Sequence, residues 1–265
     1  MNSNVRAIKS IVNDSGGAYQ NRILIGTACT GMVRVEWVAA RYSQIIPMNW
    51  SQVQSNQYMS GYYPLRYQVD DAQNILVAQA LAGDFEWLFL LEHDVCLPDM
   101  TMMLLNKYMR QGDVPIVSGL YYSRSRPSEP LVFRGRGNSV YDEWEESPGK
   151  AKAGQELIWC DGVPTGCLLI HHTVLRLMWN ESAEYMVNGQ VLRRIFETPR
   201  RLEVFESMHN SISGTSDLNW CDRLMREKVL ERLGWDKKIP DMKNPFLIDT
   251  AIFCRHINPN GEQFP

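Results

Sequence analysis

Two carboxylates one residue apart, Glu92 and Asp94, are the side chains of this sequence best placed to do chemistry. They close the segment Trp87-Leu88-Phe89-Leu90-Leu91-Glu92-His93-Asp94-Val95, in which five apolar residues run into an acid-His-acid triplet. A run so short and so apolar reads as a buried strand of a parallel sheet. In open α/β sheets, ligands bind beyond the carboxyl ends of the strands. Residues i and i+2 of an extended backbone point the same way. Glu92 and Asp94 are therefore expected to face one ion together, with His93 turned aside in a structural role. Hard divalent cations such as Mg2+ and Mn2+ prefer such oxygen ligands and often carry a diphosphate. Solvated acids at a strand end are the plain alternative, so the surrounding elements have to decide.

The chain has 265 residues, 45% of them hydrophobic, which suits one large α/β domain or two small ones; no linker divides it, so a single domain over 1–265 is expected. A net charge of -3 argues against a strongly basic nucleic-acid surface. Apolar runs fall far short of the ~20 residues of a membrane helix, and residues 1–21 lack the apolar core of a signal peptide. The six cysteines (Cys29, Cys96, Cys160, Cys167, Cys221, Cys254) form no C-x-x-C pair. They read as reduced core residues of a cytoplasmic protein and lack the spacing of a zinc site.

The first half, 22–120, alternates strand and helix. A strand over 22–27 leads into the loop Ala28-Cys29-Thr30-Gly31 and a helix over 33–44. A further strand is expected within 45–53. A helix over 71–82 is capped by Asp70 or Asp71 and ended by Gly83. After the acidic triplet, Pro98 starts a helix to about 110, and 114–120 is another buried strand. This alternation is that of a doubly wound parallel sheet. The second half, 121–257, opens with a polar hairpin or long loop over 121–155. A strand pair over 157–171, a helix over 173–179, a stretch without clear periodicity over 180–213, a helix over 216–232 and a last strand over 246–253 follow. His171 and His172 read as a strand end and a helix start.

In this order of elements the chain resembles the GT-A fold nucleotide-sugar glycosyltransferases, especially the family-two-like enzymes of bacteria and phages. Five stretches carry the resemblance: Glu92-His93-Asp94 followed by Val95 and Pro98; Ala72-Gln73-Asn74, similar to an Ala-Arg-Asn element; Gly166-Cys167-Leu168-Leu169-Ile170, similar to a Thr-Gly-x-x-Leu strand; Thr215 to Cys221, similar to a helix start with Glu-Asp; and His256 past the last strand. The sequence departs from the pattern at Glu92, where an Asp is usual, at Gln73 in place of Arg, and at Ser216 in place of Glu. An Asp-Asp-Gly-Ser motif after the second strand is absent.

The resemblance implies a mostly parallel Rossmann-like sheet flanked by helices, with a small antiparallel extension on the acceptor side. It implies transfer of a sugar from a UDP- or GDP-sugar to an acceptor hydroxyl. Asp94 and His256, with Glu92, would hold Mn2+ or Mg2+; Mn2+ tolerates imidazole better. Asp217 would be the base of an inverting enzyme, and Asp161 a second carboxylate toward acceptor or donor sugar. Thr27, Cys29 and Thr30 would line the nucleotide pocket. Asn74 would contact base, ribose or loop, and Arg255 the diphosphate. Trp144 and Trp159 are candidates for stacking on a sugar or for packing. The acceptor is expected to be a glycan; Arg124, Arg126, Arg134 and Arg136 suggest modified DNA as a less favoured acceptor. No membrane span is expected, and the protein would act as a monomer or homodimer. The alternatives are a nucleotidyltransferase, although 27–31 lacks the Gly-rich basic loop of such enzymes, and a non-catalytic nucleotide- or glycan-binding module.

Overall fold

The computed structural model describes residues 23–46, 61–135, 138–139, 157–205 and 208–265, and their side chains except at 138–139, 200–205 and 208–213. In chain order the elements are β1 (Ile23–Gly26), α1 (Val35–Tyr42), α2 (Val69–Ala82), β2 (Trp87–Leu91), β3 (Val95–Cys96), α3 (Thr101–Gln111), β4 (Ile116–Leu120), β5 (Phe133–Arg134), β6 (Asn138–Ser139), β7 (Leu157–Cys160) and β8 (Cys167–His171). There follow α4 (His172–Glu181), β9 (Glu184–Val187), β10 (Gln190–Arg193), β11 (Arg200–Phe205), β12 (Met208–Ser213), α5 (Ser216–Arg226), α6 (Val229–Arg232), β13 (Phe246–Phe253), β14 (Arg255–Ile257) and β15 (Gln263–Phe264).

The result is a mixed, Rossmann-like α/β architecture around a six-stranded sheet of order β1-β2-β8-β4-β13-β7. Strands β1, β2, β4 and β13 run one way; β8 and β7 run the other. Alternating side chains of β2 serve the two faces. Leu88 and Leu90 pack with α2, α4 and α5 through Leu76, Val77, Val174, Leu175, Trp220 and Leu224. Trp87, Phe89 and Leu91 pack on the other face with Trp37 of α1 and Met102, Leu105 and Met109 of α3. Helices thus cover both faces, and the site lies at the carboxyl edge between them.

Several expectations need correction. The segment 157–171 is no strand pair: β4 and β13 separate β7 from β8, and β8 lies antiparallel between β2 and β4. A fully apolar strand carries no mark of its direction, so its run could not reveal this. Neither Asp70 nor Asp71 caps α2. Asp70 Oδ2 accepts from the Thr198 N–H at 3.0 Å, and Asp71 Oδ1 accepts from the Tyr185 hydroxyl at 2.9 Å. The helix over 216–232 is two helices, broken where Lys228 takes φ +53°. The described residues of 180–213 form the hairpin β9–β10 and the antiparallel pair β11–β12. The strand expected within 45–53 is absent at 45–46 and otherwise lies outside the described residues. All six cysteines are free.

Candidate metal centre and cleft

Strand β2 ends at Leu91, and the backbone turns at once. The Glu92 carbonyl accepts from the Val95 N–H at 3.2 Å and from Trp37 Nε1 at 2.8 Å. Glu92 and Asp94 therefore sit on a tight turn, and the extended i, i+2 geometry expected for them does not apply. They converge all the same. After the turn, β3 pairs antiparallel with β14, placing His256 opposite Val95, and the Ile257 N–H donates to the Asp94 carbonyl at 2.8 Å. One ligand atom from each of Glu92, Asp94 and His256 lies within 4.8 Å of the other two.

Each of the three is prepared by its surroundings. His256 is 6% exposed, and its Nδ1 faces the Tyr122 carbonyl. A carbonyl only accepts, so the proton belongs on Nδ1 and the Nε2 lone pair is left for a ligand. Burial lowers the imidazole pKa, which keeps the ring neutral. The ring also meets Tyr121 edge-on at 4.8 Å between centroids. The Tyr121 hydroxyl accepts from the Gly166 N–H at 2.7 Å. A Cβ at Gly166 would stand 2.7 Å from Tyr121 Cζ, so this position has room only for glycine. Glu92 Oε1 accepts from the Thr165 hydroxyl at 3.2 Å, and Thr165 Oγ1 accepts from Gln73 Nε2 at 3.0 Å. Burial pushes the Glu92 carboxyl up to about 8, and the charges of Asp94 and Asp217 push the same way. Asp94 Oδ2 pairs with Arg124 Nη1 at 2.8 Å.

Glu92, Asp94, Arg124 and Thr165 line a cavity of about 260 Å³ whose walls include Ala28, Cys29, Thr30, Tyr67 and Gln73; His256 is not in that lining and adjoins it through Glu92 and Asp94. A second cavity, of about 440 Å³, shares Thr30, His93, Asp94 and Arg124 with it. His93 lines both, and its Nδ1 lies 3.2 Å from the Ala28 carbonyl, tying the triplet to the loop after β1.

Of the residues expected at the site, Glu92, Asp94, His256, Cys29 and Thr30 are brought together. Asp217 starts α5; its Oδ1 accepts from the Leu218 N–H at 2.8 Å, and its charge reaches Glu92 and Tyr121. Like His256 and Asp217, four more of the expected residues lie outside the lining of both cavities. Thr27 is fully buried, and its N–H bonds the Tyr62 carbonyl. Asn74 is 1% exposed, and its amide is spent on Tyr185 and on the backbone of Ile195 and Phe196. The loop it meets is the one after β10, not the loop after β1. Arg255 is exposed and, next to His256 on a strand, points to the opposite side. Asp161 lies in the turn after β7, outside the lining of either cavity. Trp159 is half-buried against both cores, while Trp144 lies outside the described residues.

Sequence reasoning missed Arg124 as part of this site, and also Thr165 and the carboxylate-holding role of Gln73. The arginines expected to share a basic groove have separate partners: Arg124 holds Asp94, Arg126 holds Glu262, and Arg134 donates to the Trp159 carbonyl at 2.9 Å. Arg136 lies outside the described residues. Among the described residues, no helix is long and apolar enough to cross a membrane.

No protein-family model matches the sequence, and no curated protein matches it. A solved structure described as the crystal structure of A197 from STIV is similar, with a TM-score of 0.51 over 92% of this chain and 93% of that one, at 13% identity. That likeness bears on the fold.

Proposed function

We propose that this protein is a metal-dependent glycosyltransferase of the GT-A type, moving a sugar from a nucleotide-diphosphate sugar to an acceptor hydroxyl. The observation that carries the reading is the meeting of Glu92, Asp94 and His256 at the carboxyl end of β2, where Glu92 and Asp94 line a cleft walled by the loop after β1. Two carboxylates and a neutral imidazole suit Mn2+ better than Mg2+. A divalent cation held there supplies positive charge against the diphosphate as it leaves.

The chain's own groups do the rest. Cys29 and Thr30 border the cleft where the nucleotide would lie. Thr165 and Gln73 fix the Glu92 carboxylate from behind. Asp217, at a helix start where a carboxylate is stabilised, is the candidate to take the acceptor's proton. A glycan is the acceptor class favoured here, since the described arginines form no shared stripe for a nucleic-acid backbone.

Incubation with a panel of UDP- and GDP-sugars and Mn2+, with release of nucleoside diphosphate as readout, tests this. Release that vanishes in Asp94→Ala supports the reading. Thermal stabilisation by a nucleotide sugar with no release from any donor–acceptor pair would replace it with a binding module.

A further inference from the structure

Arg124 stands where the two cavities meet. Its guanidinium lies 2.8 Å from Asp94 Oδ2, and the residue lines both the 260 Å³ cleft and the 440 Å³ cavity. Its side chain is 44% exposed, against 16% for Asp94, so the cation has freedom that the carboxylate lacks. Asp94 is fixed by its own turn and by the Ile257 N–H on its carbonyl. Arg124 sits on the segment after β4, between Tyr122, whose carbonyl holds His256, and Arg126, which is paired with Glu262.

From this placement we infer that Arg124 is an exchangeable counter-ion: it neutralises Asp94 in the resting protein and, when a divalent cation takes Asp94, it swings to the ligand's diphosphate. The inference rests on the function proposed above. The charges favour such an exchange. A divalent cation and a guanidinium both seeking Asp94 compete for one carboxylate, and a guanidinium set free beside a diphosphate finds the bidentate oxygen acceptors it suits best. A planar fork also outlasts the move, since it can swing about the arm of the side chain while staying charged at every working pH. The same residue therefore opposes the cation and assists the anion, two effects of opposite sign that a merely structural arginine would not produce.

Calorimetry on Arg124→Gln and the unchanged protein separates these effects. Mn2+ alone is titrated first, then preformed manganese pyrophosphate, which carries no base or sugar preference. The variant is expected to bind Mn2+ several-fold more tightly, having lost the competitor, and to bind manganese pyrophosphate about tenfold or more weakly, the size of a lost charged hydrogen bond. Arg124→Lys keeps the charge without the fork and is expected to fall between the two. Equal Mn2+ affinity in variant and unchanged protein overturns the exchange while leaving the cation site standing. Unchanged pyrophosphate affinity overturns the second half of the move. Failure of Mn2+ to bind either protein, including the variant in which nothing competes for Asp94, overturns the cation reading itself. Unfolding curves that coincide for the variant and the unchanged protein confirm that both are folded.

Discussion

Replacing Glu92 by Gln should change how stability depends on pH, and the structure gives the size and sign. In the folded protein burial raises this carboxyl from its ordinary 4.5 to about 8. The folded state thus holds a proton that the unfolded chain releases. The stability tied to that proton is complete below about pH 4.5 and is lost as the pH rises toward 8. Linkage is worth about 1.4 kcal/mol per pH unit, so the window from pH 5 to 8 spans on the order of 4 kcal/mol before solvent relief. Water reaching the carboxyl through the cleft lowers the expected loss to roughly 2–3 kcal/mol. A Gln amide keeps the acceptor for Thr165 and has nothing to titrate, so the variant should lack this loss. The assay is urea unfolding at pH 5, 6, 7 and 8 with chelator present. Burial lowers the pKa of His171, His172 and His256, and their contribution has the opposite sign, lost as pH falls; it is common to both proteins and cancels in the difference. Added Mn2+ should restore the unchanged protein at pH 8 and leave the variant nearly unmoved. A difference curve flat from pH 5 to 8 would refute the burial argument for Glu92.

Asn74→Ala should cost on the order of 2–4 kcal/mol, since it strips partners from the buried N–H groups of Ile195 and Phe196, yet leave Mn2+ affinity unchanged; a loss of affinity without a loss of stability would return Asn74 to the ligand site. Gly166→Ala should destabilise by roughly 1–3 kcal/mol as its Cβ drives into Tyr121, and should weaken Mn2+ binding because Tyr121 packs on His256; unfolding and calorimetry read the two. Thr165→Val removes the donor to Glu92 and should move the pH midpoint of Mn2+ binding upward; an unmoved midpoint would mean the hydroxyl does not hold that carboxylate.

Much of the fold was written in local patterns. The apolar runs at β1, β2, β4 and β13 and the helical spacing at α2 and α3 mark their elements within a few residues. Less was legible where several structures share one pattern. The run Cys167–His171 reads equally well parallel or antiparallel, and only pairing with β2 and β4 decides. The β9–β10 hairpin did carry a signal, since Asn188-Gly189 at φ +50° and +80° is the dipeptide a two-residue turn prefers. At the site, His256 was reached through the order of motifs, because nothing local ties it to residues more than 150 positions earlier. The alternation of strand residues would have excluded Arg255 once His256 was chosen. Arg124 had no such mark: it is a charge in an irregular segment, and its meeting with Asp94 is a product of tertiary packing.

Manganese-edge anomalous diffraction from crystals grown with Mn2+ and UDP tests the central claim most directly. One strong manganese peak is expected, bonded to Asp94 and His256 Nε2, with Glu92 beside it and the UDP diphosphate completing the shell. Nucleotide bound in the cleft with manganese elsewhere, or with no manganese at all, would contradict it.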